Sequence, residues 1–312
     1  MRVSKIVVGI MGVIISISLT GDWSFAQTKN GFDLSGSLIP ADEIVSGGPP
    51  RDGIPSIDNP KFVQPGEADF LRADDRVLGI VEQGTARAYP INIMNWHEIV
   101  NDEFGDDPVV MTYCPLCGSG VAYDAHVAGK DRAFGVSGLL YNNEVLLYDR
   151  QSESLWSQIM SEVVSGPLKG RELEQIPMSH TTWEDWRSRH PDTQVLSTET
   201  GYARNYSRDP YSGYQDDKRI MFPVSNSDDR YPRKELVLGV EINGEYKAYP
   251  FSELRQTSGK IRDSLNGQQL IIRFDSEHQS AKTTDGQGKE IPAVMLYWFA
   301  WTAFHPETGE KF

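Results

Sequence analysis

"VLGIVEQGTARAYP", residues 77–90, and "VLGVEINGEYKAYP", residues 237–250, agree at 7 of 14 positions. Each reads as a hairpin turning at "EQG" or "ING", because a short apolar run, a glycine turn and a second run form the pattern of two paired strands. The likeness continues past "AYP" through a short helical or turn segment. After a one-residue shift, "VNDEFGDDPVVMTY" from Val100 answers "IRDSLNGQQLIIRF" from Ile261, a second hairpin leading into an apolar strand. Two copies are too few for a solenoid. The expectation is an α+β protein, predominantly β, built of two related β-rich modules at 70–160 and 233–312.

The stretch between the copies, 161–232, has a different character and reads as a helix and loop insertion. "SHTTWEDWRSRHPD" offers Thr182 as an N-cap, Glu184 and Asp185 in the first turn, and Pro191 as a stop, the signals of a short helix. The tyrosine-rich "GYARNYSRDPYSGYQDD" that follows reads as a loop. Residues 27–69 are rich in Gly, Pro, Asp and Ser without a sustained period, which predicts an extended N-terminal arm.

Residues 1–26 have the layout of a secretory signal peptide: basic Arg2 and Lys5, an apolar or small-residue run of 14 residues from Ile6 to Leu19, and a small-x-small end at Ala26. The run is shorter than the roughly 18 residues a membrane span needs. The expectation is a periplasmic or secreted protein with no stable membrane span after cleavage. Removing the leader leaves 28 basic and 43 acidic residues, a net charge of −15. That excess argues against nucleic acid as a partner, since phosphate backbones are bound by cationic patches. The partner is otherwise open: a small molecule, a metal or a protein. No nucleotide or organic cofactor signal is present.

The two cysteines of the chain, Cys114 and Cys117, lie in "VVMTYCPLCGSG", residues 109–120. The second copy has Asp275 where the first has Cys114, so a shared fold would not need the thiols. A thioredoxin-like pair stands at a helix N-terminus, whose dipole lowers the first thiol's pKa. Here "GSGVAYDAH" follows, glycine-broken and then strand-like. C-P-x-C-G also resembles the cysteine knuckle of rubredoxins and zinc ribbons, where two thiolates two residues apart reach one ion. Occurring once, it needs further ligands, and His97 in "NIMNWHEIVND" is the best placed. His126, His180, His190 and His278 read as hairpin-tip, boundary or loop residues. His305, after the aromatic "LYWFAW", is kept as a further ligand. A plain Cys114–Cys117 disulfide would close a very small loop and be readily reduced.

Five stretches together resemble the bacterial family catalogued as domain of unknown function 3179: "AYPINIMNWHEIVND", "VMTYCPLCGSGVAYDA", "FGVSGLLYNNEVLLYDRQSESLWSQ", "TTWEDWRSRHPDTQVLS" and "WFAWTAFHPET". The likeness runs over about residues 70–310 and implies an exported protein with a C-P-L-C motif but no reaction. It implies one site that joins His97, Glu98, Asn101, Asp102, Cys114 and Cys117 to Ser137, Asn142, Asp149, Trp156 and Gln158, these last as pocket or supporting residues.

Soft thiolates outside the cytoplasm suit copper first and zinc second, so the leading expectation is a copper or zinc site of Cys114, Cys117 and His97. Whether the protein is an enzyme is open. One alternative is a thiol–disulfide oxidoreductase using the same cysteines. Another is a non-catalytic binding module presenting "LYWFAW", read as a strand, to a partner.

Overall fold

The computed structural model describes residues 27–307; the expected leader lies outside them. The described residues are 41% strand and 10% helix, β-rich with small helices as expected. Its layout differs from two modules. Five sheets of three to five strands stand like the blades of a propeller.

Blade I is built on the hairpin Arg76–Glu82 and Thr85–Pro90. Blade II holds Ile99–Phe104, Asp107–Cys114 and Ser119–Asp124. Blade III holds Phe134–Tyr141, Glu144–Asp149, Leu155–Ser157 and Glu162–Ser165. Blade IV pairs Leu236–Ile242 with Glu245–Pro250 and Val294–Tyr297. Blade V runs Lys260–Leu265, Gln268–Asp275, Ser280–Thr284 and Glu290–Ile291.

The repeat survives inside this layout. Val77 faces Pro90 and Leu78 faces Tyr89 in blade I, and Val237 faces Pro250 and Leu238 faces Tyr249 in blade IV, the same register. Tyr89 donates its hydroxyl to Asp102, and Tyr249 donates to Asp263 at 2.9 Å. What fails is the self-sufficiency of each copy. An edge strand presents unpaired N–H and C=O groups, and in this fold they are met by strands from distant segments. Ser179–Thr182 and Gln194–Leu196 complete blade I, Gln175–Ile176 completes blade II, and Val45–Ser46 from the arm pairs with blade III. The stretch 161–232 is thus woven through three blades, and the arm buries Phe32, Leu34, Ile39 and Ile44.

A further correspondence shows only in three dimensions. Trp183–Arg189 is the helix its capping signals predict, with the Asp185 N–H on the Thr182 hydroxyl at 3.4 Å. "WFAWTAF", expected as strand, is also a helix, Trp298–Phe304, following the strand that ends at Tyr297. Spacing of i, i+3 puts two tryptophans on one helical face. Trp186 lies flat on Gly79 and Trp301 on Gly239, where an added Cβ would come within 2.4 and 2.1 Å of the rings. His190 and His305 close the two helices, each giving its N–H to the tryptophan carbonyl four residues back. Tyr297, Trp298, Phe299 and Trp301 are buried, so this segment offers no aromatic face to a partner.

Candidate functional site

The cysteines occupy the tight turn between two blade II strands, with Cys114 facing Ser119 across the ladder. The Cys117 N–H returns to the Cys114 carbonyl at 3.2 Å, and Gly118 takes a left-handed φ of 64°. The Tyr297 ring lies on Gly118, and the Tyr297 N–H donates to the Cys117 carbonyl at 2.9 Å. Both thiols are free and buried, 1% and 0% exposed. They sit in the largest core cluster, with Val145, Trp156 and Trp298.

The two sulfurs are not equivalent. Burial raises the Cys114 thiol, but hydrogen bonds from the Cys117 thiol and from the N–H groups of Val145, Cys117 and Leu116 outweigh it, holding it below the ordinary thiol range. Cys117 is driven well up by burial and by its place as donor to Cys114. Its Sγ lies 3.4 Å from the Asn143 carbonyl. No helix follows the pair; a strand, Ser119–Asp124, does.

Two carboxyl groups flank Cys114. Glu98, in a left-handed conformation at φ 58°, is buried, and burial followed by repulsion from Cys114 pushes its pKa up to about 8. Glu144, wholly buried, is raised well above the carboxylate range by burial, although it accepts from the Ile159 N–H and, at 3.0 Å, from the Ser157 hydroxyl. With its pKa near 8, Glu98 is mostly protonated at neutral pH and adds little charge beside a Cys114 thiolate.

His97 has other partners than the sulfurs. Its Nδ1 donates to the Pro55 carbonyl and its Nε2 accepts from the Tyr206 hydroxyl, both at 2.7 Å, while burial lowers its pKa. The ligand atoms of Cys114, Cys117 and His97 do not all lie within 4.8 Å of one another in this structure. Among the described residues the one set of three His, Cys, Asp or Glu ligand atoms lying within 4.8 Å of one another is Asp185, Asp275 and His278, a group with the geometry to hold a metal.

His97 instead fastens the tyrosine-rich loop over the cysteine turn. Tyr206 is held by His97, Tyr211 reaches Glu98 at 3.4 Å, and Tyr214 donates to the Leu116 carbonyl at 3.1 Å. Asn95 donates to Asp209, and the Trp96 indole donates to the Arg208 carbonyl. The sequence reading missed these tyrosines, Glu144 and Asn143. The density of tyrosine between 202 and 214 was the available signal.

Of the supporting residues, Gln158 lies under the turn, accepting from Ser119 at 2.6 Å and donating to Thr112 at 2.8 Å. Asn142 and Asn143, with φ of 52° and 64°, make the blade III hairpin turn next to Cys117. Asn142 accepts from the Ser225 N–H. The others serve the scaffold. Asn101 ties blade II to Phe134 of blade III, and Asp102 pairs with Arg87 at 2.7 Å. Asp149 is buried against Arg132 and the Trp156 indole, and Ser137 bonds the Leu146 carbonyl beside the bulge in its strand. His305 stacks between Tyr246 and Trp301, the counterpart of His190 on Trp186, with burial lowering its pKa to about 4.

The family model described as "Protein of unknown function (DUF3179)" matches residues 51–308, and the chain belongs to that family. No curated protein and no solved structure matches.

Proposed function

We propose that the protein is an exported thiol–disulfide protein in which Cys114 is the attacking thiol and Cys117 the resolving one. The observation that carries this reading is the pair itself: two free, buried thiols share one tight turn, with the Cys117 thiol on the Asn143 carbonyl at 3.4 Å and surroundings that lower Cys114 and raise Cys117. A lowered first thiol beside a raised second one is the condition for directional exchange. The Cys114 thiolate attacks one sulfur of a partner disulfide, and the other sulfur leaves as thiolate. Cys117, losing its proton to that leaving group, then attacks the Cys114 sulfur and frees the second partner thiol. Two electrons pass to the partner, and the reverse sequence would oxidise a dithiol. Glu98, neutral below about pH 8, keeps a second negative charge away from the thiolate. The loop 201–217 excludes water until it lifts. Export is supported by the leader-like residues 1–26.

The same surroundings favour a second reading, since they would also stabilise a metal-bound thiolate; copper(I) or zinc held by the two sulfurs is that alternative.

Protein recovered from its native compartment, equilibrated in buffers of graded redox potential and alkylated under acid quench, distinguishes these. The exchange reading expects a single two-electron transition between dithiol and disulfide, and C117S should leave one thiol that alkylates at a pH below the ordinary thiol range. A pair that stays reduced at every potential, with stoichiometric copper or zinc by elemental analysis, would replace exchange with metal binding.

A further inference from the structure

We propose that Asp275, His278 and Asp185 form a divalent transition-metal site, the oxygen and nitrogen counterpart of the cysteine turn on the opposite copy of the repeat. The site does not rest on the thiol reading.

The first support is positional. Asp275 ends the middle strand of blade V and faces Ser280, as Cys114 ends the middle strand of blade II and faces Ser119. Three residues on, His278 stands where Cys117 stands. C-x-x-C has become D-x-x-H at the same turn, one pair of metal-binding side chains replaced by another. The surroundings correspond too. Tyr297, the residue before one tryptophan helix, gives its N–H to the Cys117 carbonyl, and Thr182, the residue before the other, places its hydroxyl 2.8 Å from His278 Nδ1. Each turn is closed by the N-cap residue of a helix on another blade.

The second support is local geometry. The three ligand atoms lie within 4.8 Å of one another, and supporting bonds orient each group. Asp275 Oδ1 accepts the N–H groups of Glu277 and His278, leaving Oδ2 for an ion. With Nδ1 donating to Thr182, His278 offers Nε2. Asp185 accepts the Thr181 hydroxyl at 2.7 Å, and Arg189 holds both of its oxygens and would have to yield one to an ion. Arg76 fixes the turn from behind, donating to the carbonyls of His278 and Gln279.

The third support is an unsatisfied group. His180, 8% exposed, lines a cavity of about 180 Å³ together with Asp185, Asp275 and the cations Arg189, Arg273 and Lys282, and its Nδ1 has no hydrogen-bond partner. Two carboxylates and an imidazole, with room for water, suit zinc or a similar borderline ion and exclude copper(I), which prefers sulfur.

The test uses the C114S/C117S double variant, titrated with zinc by calorimetry against a chromophoric chelator. One equivalent should bind and raise the melting temperature, and D275N and H278Q in that background should each weaken binding by at least about tenfold without altering the metal-free melting temperature. Should the double variant fail to fold, cobalt(II) loading of the wild type reads the same site: d–d bands sensitive to H278Q, without sulfur-to-cobalt charge transfer. Absence of zinc binding above background, or binding indifferent to both D275N and H278Q, overturns the proposal. So does a cobalt spectrum that carries only the thiolate band.

Discussion

Glu98 gives the sharpest handle on the cysteine site, because its protonation is coupled to folding. Its pKa is about 8 in the folded chain against an ordinary 4.5, burial being the larger cause and Cys114 the next. Between those values the folded state holds a proton that the unfolded state has lost. Stability attributable to Glu98 is therefore fully present below about pH 4.5, falls as pH rises, and levels off above about pH 8. Each unit of separation is worth about 1.4 kcal/mol. From about pH 5 to about pH 7.5 the wild type should lose roughly 3 kcal/mol relative to E98Q, an uncharged near-isostere that does not titrate. Urea denaturation of both proteins at half-unit pH steps in the C114S background isolates this difference, since Cys114 is the thiol coupled to Glu98 and the remaining titrating groups cancel to first order. The reasoning is refuted if the E98Q minus wild-type stability difference is flat across the range. A difference that shrinks with rising pH would show instead a carboxylate stabilised as the anion.

Other outcomes follow from the same geometry. Y206F, which removes the hydroxyl shared by His97 and Thr200, should loosen the loop over the turn and speed alkylation of Cys114 in the native protein; an unchanged rate would mean the loop does not gate the thiols. G79A and G239A should each cost about 1–3 kcal/mol by driving a methyl group into Trp186 or Trp301. A neutral result at either position in thermal denaturation would break the equivalence of blades I and IV. D102N, which weakens a buried pair with Arg87, should cost about 3 kcal/mol. D263N at the matching, more exposed pair with Lys247 should cost about 1 kcal/mol or less, and the same measurement checks the ratio.

The local elements were readable because their causes are local. The turns at Gln83-Gly84 and Asn243-Gly244 carry left-handed residues that the sequence advertises, and Thr182 announced its helix through a capping oxygen. "WFAWTAF" was misread because a short, wholly apolar run has no polar face to fix its period. Its helical state follows from Trp301 lying on Gly239, a contact between residues 62 positions apart. His97 was read as a ligand from its nearness in sequence to the cysteine strand. It is turned instead toward Pro55 and Tyr206, which sequence proximity could not anticipate.

The sequence by itself determined a β-rich chain, a hairpin copied twice in one register, and a cysteine turn that the second copy does without. It also placed Asp275 opposite Cys114, though not the significance of His278 three residues later. Only the tertiary structure decided that the copies share five blades, because strand edges are satisfied by whichever segment reaches them, at any distance along the chain. Only it decided which groups surround the thiols. The donors to Cys114 come from its own turn and from Val145 of blade III, and the cover comes from tyrosines about a hundred residues away. The pKa of a buried thiol or carboxyl depends on desolvation and on neighbours within a few ångströms, and a linear sequence does not state who those neighbours are.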